Sequence, residues 1–571
     1  MPKGFIPIGS EFRANSFMNT GNYTRQNQSA VEGLAGGGYV VTWSSQGQDG
    51  NGYGVYGQYF NSKGTALGGE FQINTTWSGH QQRPAIAALD DGGFWVVWES
   101  NFGSGVGYSI IGQRYDSTGT TVGGEIAISD PTTANQTIAS VSVLDDGGFV
   151  VAWKDKNLGI SARCFDADGV AEAVEFQVNT YPLDAHNLPT VTALTDGGFV
   201  VIWQAWQDGD KDGIYGQRYG ADGSTAGDEF QVNTYTTGHQ SDANVAGLAY
   251  GGFMVVWNGE GSADETSGIY GQRYDGSGEA SGTQFQINSH TADNQASSAI
   301  TALADGGFVV TWMSVHQDGD WGGVFGQRFD AGGDTVGKEF QINTFTEDGQ
   351  GDPSVAALAD GGFVVTWNSD DHAGNDDGIW GQQFAAQLFG TSADDIIYDE
   401  VGANWMDGRG GDDLLLGQGG RDVIFGGAGD DIIKGGNGYD KLSGGKGKDV
   451  LRGGAGKDKM QGDGGNDKIK GEAGNDQLDG GKGKDKLTGG AGKDTFVFKD
   501  GYGRDKITDF QDDIDTLLFD GVLRGGLTTV MFVIENAKVV DGDVVFDFGS
   551  DKLTLKGITD VTLLLNDVEF I

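Results

Sequence analysis

Twelve consecutive nine-residue units fill residues 390–497, and so short a period leaves few folds open. The last ten, from Gly408 onward, keep register without insertion or deletion. Their consensus is Gly-Gly-x-Gly-x-Asp-x-apolar-x, as in residues 453–461 (GGAGKDKMQ). The sixth place is always Asp: Asp413, Asp422, Asp431, Asp440, Asp449, Asp458, Asp467, Asp476, Asp485 and Asp494. The eighth is always apolar, from Leu415 and Ile424 to Leu487 and Phe496. Glycines at the start of a unit let the backbone take positive φ and keep side chains out of the way of converging carbonyls. The Asp adds a charged oxygen, and a hard cation such as Ca²⁺ takes about six to eight oxygens. The apolar residue two places later reads as a short inward-facing strand. One unit cannot bury that residue alone, so neighbours must stack. A flexible Gly-rich linker would have no reason to repeat an apolar residue every nine positions.

The unit resembles the calcium-binding nonapeptide of the RTX (repeats-in-toxin) proteins. That resemblance implies a parallel β-roll in which two nonapeptides make one turn and each Ca²⁺ lies between loops of units n and n+2. Ten intact units would then hold about eight ions. The implied metal ligands are the ten Asp residues above together with Asp395. The first two units depart from the pattern: 390–398 keeps Asp395 but has Ala393 at the fourth place, and 399–407 has Asn404 at the sixth. They read as a leading cap with weak or absent sites.

A second, longer repeat fills residues 11–384. Its anchors are Trp43, Trp98, Trp153, Trp203, Trp257, Trp312 and Trp367, spaced by 55, 55, 50, 54, 55 and 55 residues. Each copy carries four apolar runs: a small-residue run (SVAAL), GFVVTW, GIWGQQF and EFQINT. The first two are joined by Asp-Gly-Gly, a hairpin signal. Four strands per ~50 residues is the pattern of a β-propeller blade. Seven copies predict an all-β, seven-bladed propeller. The small-residue run suits the crowded axis and is assigned as the first, innermost strand; EFQINT is the fourth and outermost. The chain begins with a fourth-strand segment, 11–16, and the seventh copy ends with its third. The first segment should therefore complete the last blade and close the ring.

This order puts the loops before the first strand and after the second on one face. All six histidines fall there: His80, His186, His239, His290, His316 and His372. So does a Gln 17 residues before the Trp in six copies: Gln26, Gln81, Gln136, Gln240, Gln295 and Gln350, with His186 in the third. These glutamines either satisfy backbone groups within the ring or line a glycan-binding face. The repeated Trp reads as blade core. One loop, Asp208-Gly-Asp210-Lys-Asp212-Gly, has the start of an oxygen-ligand calcium loop and equally of an ordinary Asp/Gly turn.

Charge narrows the partners. The chain carries 81 Asp and Glu against 36 Lys and Arg, a net charge of −45. Residues 1–389 hold 46 acidic against 14 basic, while residues 390–497 hold 20 against 15. This argues against nucleic acid and anionic membranes as partners of the whole. The single Cys164 excludes an intramolecular disulfide. The opening residues lack the apolar segment of a Sec signal, and no run reaches transmembrane length.

Three domains follow: 1–388, the propeller; 389–498, the roll; and 499–571, a β-rich cap. The segments Asp494-Thr-Phe-Val-Phe and Asp505-Lys-Ile-Thr-Asp-Phe, and the tail NDVEFI, resemble the end of RTX proteins exported by a type I system. The resemblance implies a transient ABC-transporter partner, export from a Gram-negative cell and folding on Ca²⁺ outside it. No HExxH, GxSxG or P-loop pattern occurs, so no catalytic residue is assigned. The expected function is a secreted calcium-binding protein whose propeller binds glycan or cell surface, or assembles a surface layer or matrix. A propeller-type polysaccharide lyase or glycosidase with an RTX export module is the alternative. A pore-forming toxin is disfavoured, because no long apolar region precedes the repeats.

Overall fold

A computed structural model describes residues 7–17, 25–76, 78–101, 107–130, 135–181, 186–207, 211–260, 266–370, 377–384, 387–389, 392–398 and 405–571. The chain divides into two compact units, Met1–Phe384 and Ala385–Ile571.

The first unit is a seven-bladed propeller of four-stranded antiparallel sheets. Blade one runs Gln26–Gly33, Tyr39–Gln46, Tyr53–Phe60 and Ala66–Gln72 in spatial order. Blade seven runs Gln350–Ala357, Phe363–Ser369 and Gly378–Phe384, and its outermost strand is Pro7–Arg13. Phe12 pairs with Gly381 and Arg13 with Trp380, so the ring closes with the first strand as the sequence predicts. The second strand of each blade is buried on both faces, which is why it reads as an unbroken apolar run. The seven repeated tryptophans are at most 1% exposed and are blade core.

The innermost strands explain their small residues. A Cβ on Gly33 would lie 2.0 Å from the Ala357 carbonyl oxygen, and one on Gly247 would lie 2.4 Å from that of Ala193. Hydroxyls stitch neighbouring inner strands: Ser140 Oγ accepts from the Val191 amide at 3.1 Å, and Ser142 Oγ from Ala193 at 2.9 Å.

Two repeated contacts hold the outer strands. The Asn of EFQVNT accepts from the first amides of its own third strand: Asn74 from Val55 at 2.8 Å, Asn233 from Ile214 at 2.7 Å. Ser129 takes this role in blade two, accepting from Ile110 at 3.0 Å. The Glu of the same segment reaches the preceding blade, where Glu229 accepts from the Thr180 amide at 2.8 Å and Glu339 from Ser289 at 2.5 Å. Both contacts recur at the closure: Asn15 accepts from Ile379 at 2.8 Å, and Glu11 accepts from the Thr344 amide.

The second unit is a two-sheet parallel β-roll. Successive strands alternate between sheets, so residues 18 apart pair in register: Leu415 with Ile433, Ile433 with Leu451, Leu451 with Ile469 and Ile469 with Leu487. The eighth-place residues form one continuous core between the sheets. At the fourth place, Gly438 has φ of 152° and a Cβ there would sit 1.5 Å from the Gly420 carbonyl oxygen, so only glycine fits. The first rung is Gln387–Phe389 against Trp405–Asp407, and Ile396–Tyr398 pairs with Leu414–Leu416, so the two divergent units already belong to the roll. The roll continues past the repeats: Thr516–Phe519 and Val568–Phe570 extend one sheet, and Arg504–Ile507 and Asp551–Leu555 the other. An all-β reading omits two short helices here, Gly521–Arg524 and Thr529–Asn536. Phe532 of the second is fully buried, 5.0 Å from Phe519 and 6.0 Å from Phe546 between ring centres, and it plugs the open end of the core.

Candidate metal centre and ligand face

The sixth-place aspartates are brought together in two ladders, one along each edge of the roll. In each, the backbone amide of one Asp donates to Oδ1 of the Asp one turn later. Asp395 donates to Asp413 at 2.8 Å, Asp413 to Asp431 at 2.9 Å and Asp431 to Asp449 at 2.9 Å. On the other edge, Asp422 donates to Asp440, Asp440 to Asp458 and Asp458 to Asp476, each at 2.9 Å. Each ladder runs one residue further than the repeat pattern indicates. Asp485 donates to Asp505 and Asp494 to Asp515, each at 3.0 Å.

This bonding consumes Oδ1 and leaves Oδ2. In Asp413, Asp431, Asp440, Asp449, Asp458, Asp467, Asp476, Asp485 and Asp494, Oδ2 is buried with no hydrogen-bond partner. Stacked buried carboxylates of this kind are costly as anions. Burial pushes Asp458 and Asp467 up to about 7, and Asp431 and Asp449 up to about 6, with the charges of neighbouring rungs adding to the effect. The first-place glycine completes the cradle. A Cβ on Gly435 would lie 2.4 Å from Asp440 Oδ2 and 2.8 Å from the Gly453 carbonyl oxygen, and Gly453 and Asp458 repeat this geometry at 2.4 Å. A rigid loop that gathers a carboxylate oxygen and backbone carbonyls, with no side chain in between, fits a hard divalent cation. Bound Ca²⁺ would compensate the orphaned oxygens and hold successive turns together.

On the propeller, the repeated glutamines make structural contacts. Gln26, Gln81, Gln136, Gln240, Gln295 and Gln350 are at most 1% exposed. Gln295 and Gln350 donate to carbonyls of their own loops, Ala292 at 2.9 Å and Glu347 at 2.7 Å. Gln240 accepts from Trp257 Nε1 at 2.9 Å. Gln240, Gln295 and Gln350 are thus tied into their own blades, and Gln26 and Gln350 also line the cleft described below. His186 is buried as well. His239 Nδ1 lies 3.1 Å from Asp212 and His316 Nδ1 lies 3.4 Å from Asp293. Asp208, Asp210 and His372 lie outside the described residues.

The same face carries a cleft. About 440 Å³ in volume, it is shared by blades one, six and seven and lined by Arg25, Asn27, Met313, Trp321, Asp352 and Asp370, among others. Trp321 is 73% exposed. Asp352, two places after the buried Gln350, has φ of 49°. Every blade has a positive-φ residue at this place, from Gln28 and Arg83 to Ser297, where a bulge re-aims the inner strand. Asp352 accepts from Ser297 Oγ at 2.9 Å and from Asn368 Nδ2 at 3.1 Å. Burial and the charge of Asp348 push the Asp370 carboxyl up, and Arg25 opposes them. A flat exposed ring beside acids, amides and one guanidinium is suited to a polyhydroxylated ligand.

Residues 380–496 match the family model of the RTX calcium-binding nonapeptide repeat (4 copies), in six overlapping stretches from 380–415 to 461–496. No curated protein matches the chain. Among solved structures, a protein of unknown function from Dyadobacter fermentans DSM 18053 is 12% identical, with 67% of this chain and 99% of that chain covered and a TM-score of 0.41. The β-propeller domain of the Trilobed protease from Pyrococcus furiosus is 11% identical, with 61% and 90% covered and a TM-score of 0.37. The extracellular lipase LipA from Serratia marcescens is 20% identical, with 32% and 40% covered and a TM-score of 0.19.

Proposed function

We propose that this chain, which carries RTX calcium-binding nonapeptide repeats behind a seven-bladed propeller, is a secreted protein that folds its roll on Ca²⁺ outside the cell and binds glycan through the propeller. The observation that carries the reading is the row of buried aspartate Oδ2 atoms without hydrogen-bond partners. At cytosolic Ca²⁺, far below millimolar, those carboxylates repel one another and the roll stays open for passage through a type I exporter. Outside, ion binding becomes folding free energy. Residues 1–388 would be the recognition domain, 389–498 the calcium response, and 499–571 the cap and export signal. The Asp208–Asp212 loop plays no part in this reading.

The cleft around Trp321 is the proposed glycan site, since loops on a rigid scaffold are where recognition usually resides. A glycan array probed with the full chain, with and without EDTA, tests it. Trp321→Ala should abolish the binding seen with wild type while leaving the Ca²⁺ response unchanged. Retained binding would exclude the cleft. A second reading, glycoside hydrolysis, is favoured by one observation: Asp370, with its raised carboxyl, shares the cleft with Asp352 and Asp377. Release of reducing ends from any bound glycan, lost in Asp370→Asn, would establish it; no release from any bound glycan would dismiss it.

A further inference from the structure

We infer that the outer face of one sheet of the roll is a docking track for an extended anionic polysaccharide. Strand alternation turns the seventh and ninth places of each unit outward while the eighth faces the core. On the sheet built from Ile432–Gly438, Val450–Gly456, Lys468–Ala473, Lys486–Ala491 and Arg504–Ile507, the parallel register aligns these places in columns. Lys434 pairs with Arg452 and Arg452 with Lys470; Lys468 pairs with Lys486 and Lys486 with Lys506. All are exposed, as is Arg504. None of the seventh- and ninth-place residues on this sheet between Leu414 and Thr508 is acidic; the exposed acid of its strands, Glu472, sits beside Arg452.

The columns are not a by-product of the repeat. The opposite sheet, with the same spacing, offers only Lys441 and Lys459 at its corresponding places and adds Asp479. Nor are the charges neutralised locally. Arg452 has Glu472 at 3.7 Å, while Lys434, Lys468, Lys470, Lys486, Arg504 and Lys506 form no ion pair among the described residues. Adjacent strands are about 4.8 Å apart, well inside a Debye length of about 8 Å. Like charges directly opposite each other destabilise a sheet, so the columns oppose folding until an anion lies across them. Bound Ca²⁺ at the edges would add further positive potential.

The geometry selects the partner. The cations follow the roll axis at one strand spacing per step, comparable to the length of one saccharide, so a uronate or sulfated chain with about one charge per residue runs in register. A nucleic-acid duplex carries one charge per about 1.7 Å and is repelled far more strongly by a chain of net charge −45. The track is distinct from the Trp321 cleft and does not rest on it.

The test uses the full chain loaded with Ca²⁺ and three probes: oligogalacturonate, a sulfated chondroitin oligosaccharide and neutral dextran. At least one anionic oligosaccharide should bind, dextran should not, and added NaCl should weaken binding. The triple variant Lys468→Gln, Lys470→Gln, Lys486→Gln should lose affinity about tenfold, the scale of three exposed charge contacts. The control Lys441→Gln, Lys459→Gln on the opposite sheet should retain it, as should Trp321→Ala, and both charge variants should keep the Ca²⁺-induced folding signal. Unchanged affinity in the triple variant overturns the proposal. So does tighter binding of duplex DNA than of either oligosaccharide. Self-association of the wild type in low salt that the triple variant lacks would assign the track to the acidic propeller of a second copy, and also overturns it.

Discussion

The amide of Asp458 donates to Oδ1 of Asp476 at 2.9 Å, while Oδ2 of Asp476 is buried without a partner. One carboxylate thus both holds the register of the preceding turn and presents an uncompensated oxygen to a loop of glycines. On the proposed reading, folding and metal binding would be the same event at this residue.

Isolated residues 385–571 should show little β-structure in EDTA and gain it cooperatively as Ca²⁺ is added, followed by circular dichroism. Mg²⁺ should substitute poorly, because it demands a small octahedral shell. A spectrum independent of Ca²⁺ would contradict the reading of the ladder.

Asp458→Asn and Asp458→Ala separate the two roles. Asn keeps an acceptor for the Asp440 amide, now at 2.9 Å from Oδ1, and loses the charge facing the loop. It should lower the number of ions measured by calorimetry with a modest change in stability of the loaded roll. Ala also orphans the amide, and should cost a further ~1–3 kcal/mol in denaturant titrations.

Acid should oppose calcium. The ordinary Asp value of about 3.9 describes the unfolded chain, whereas native Asp458 and Asp467 lie at about 7. Between these values the metal-free native roll binds more protons than the unfolded chain, so its stability is greatest at low pH and falls as pH rises through the window. Ca²⁺ needs the deprotonated form, so its apparent affinity should rise over the same window. Titrations at pH of about 5.5 and about 8 check both signs; equal affinities would refute them.

Asn15→Ala should leave the Ile379 amide without its acceptor and destabilise the propeller by ~1–3 kcal/mol. Deleting residues 1–17 should do more, exposing the edge of the third strand of blade seven and lowering the melting temperature or causing aggregation. Unaltered melting of the truncated chain would rule out the closure.

Gln240→Ala should behave as a core substitution. It orphans Trp257 Nε1 in the blade interior and should lower stability by ~1–3 kcal/mol without a specific effect on glycan binding. Loss of binding at unchanged stability would restore the glutamine as a ligand residue.

The roll and its ladders of buried aspartates were legible because chemistry and period coincide within nine residues: Asp440 and Leu442 announce loop and core together. Blade number and closure were legible for the same reason, through Trp43 to Trp367 and the displaced segment containing Glu11. Other features escaped because their meaning lies between distant positions. Asn74 and Glu70 repeat visibly, yet only the folded blade shows that one satisfies Val55 and the other grips the blade before it. Asp505 and Asp515 were missed because the spacing stretches from 18 residues to 20 and 21 where the repeats end. The helix Thr529–Asn536 is rich in β-branched residues and reads as strand until its capping by Thr528 and the burial of Phe532 are seen. The Trp321 cleft escaped because it joins repeated places such as Gln26, Gln350 and Asp352 from two blades with Trp321, which the corresponding loops of the other copies do not repeat.

The closure of blade seven has a kinetic consequence. Six blades can each assemble from one contiguous stretch of chain, but the contact between Asn15 and Ile379 joins residues 364 positions apart. Contacts of such separation form slowly, since the loop they close must be gathered first. The six contiguous blades can stand complete while blade seven still waits for its outer strand. Until then the third strand of that blade stays open as a template for another chain, so the interval before the two ends meet is when this propeller is most exposed to domain swapping.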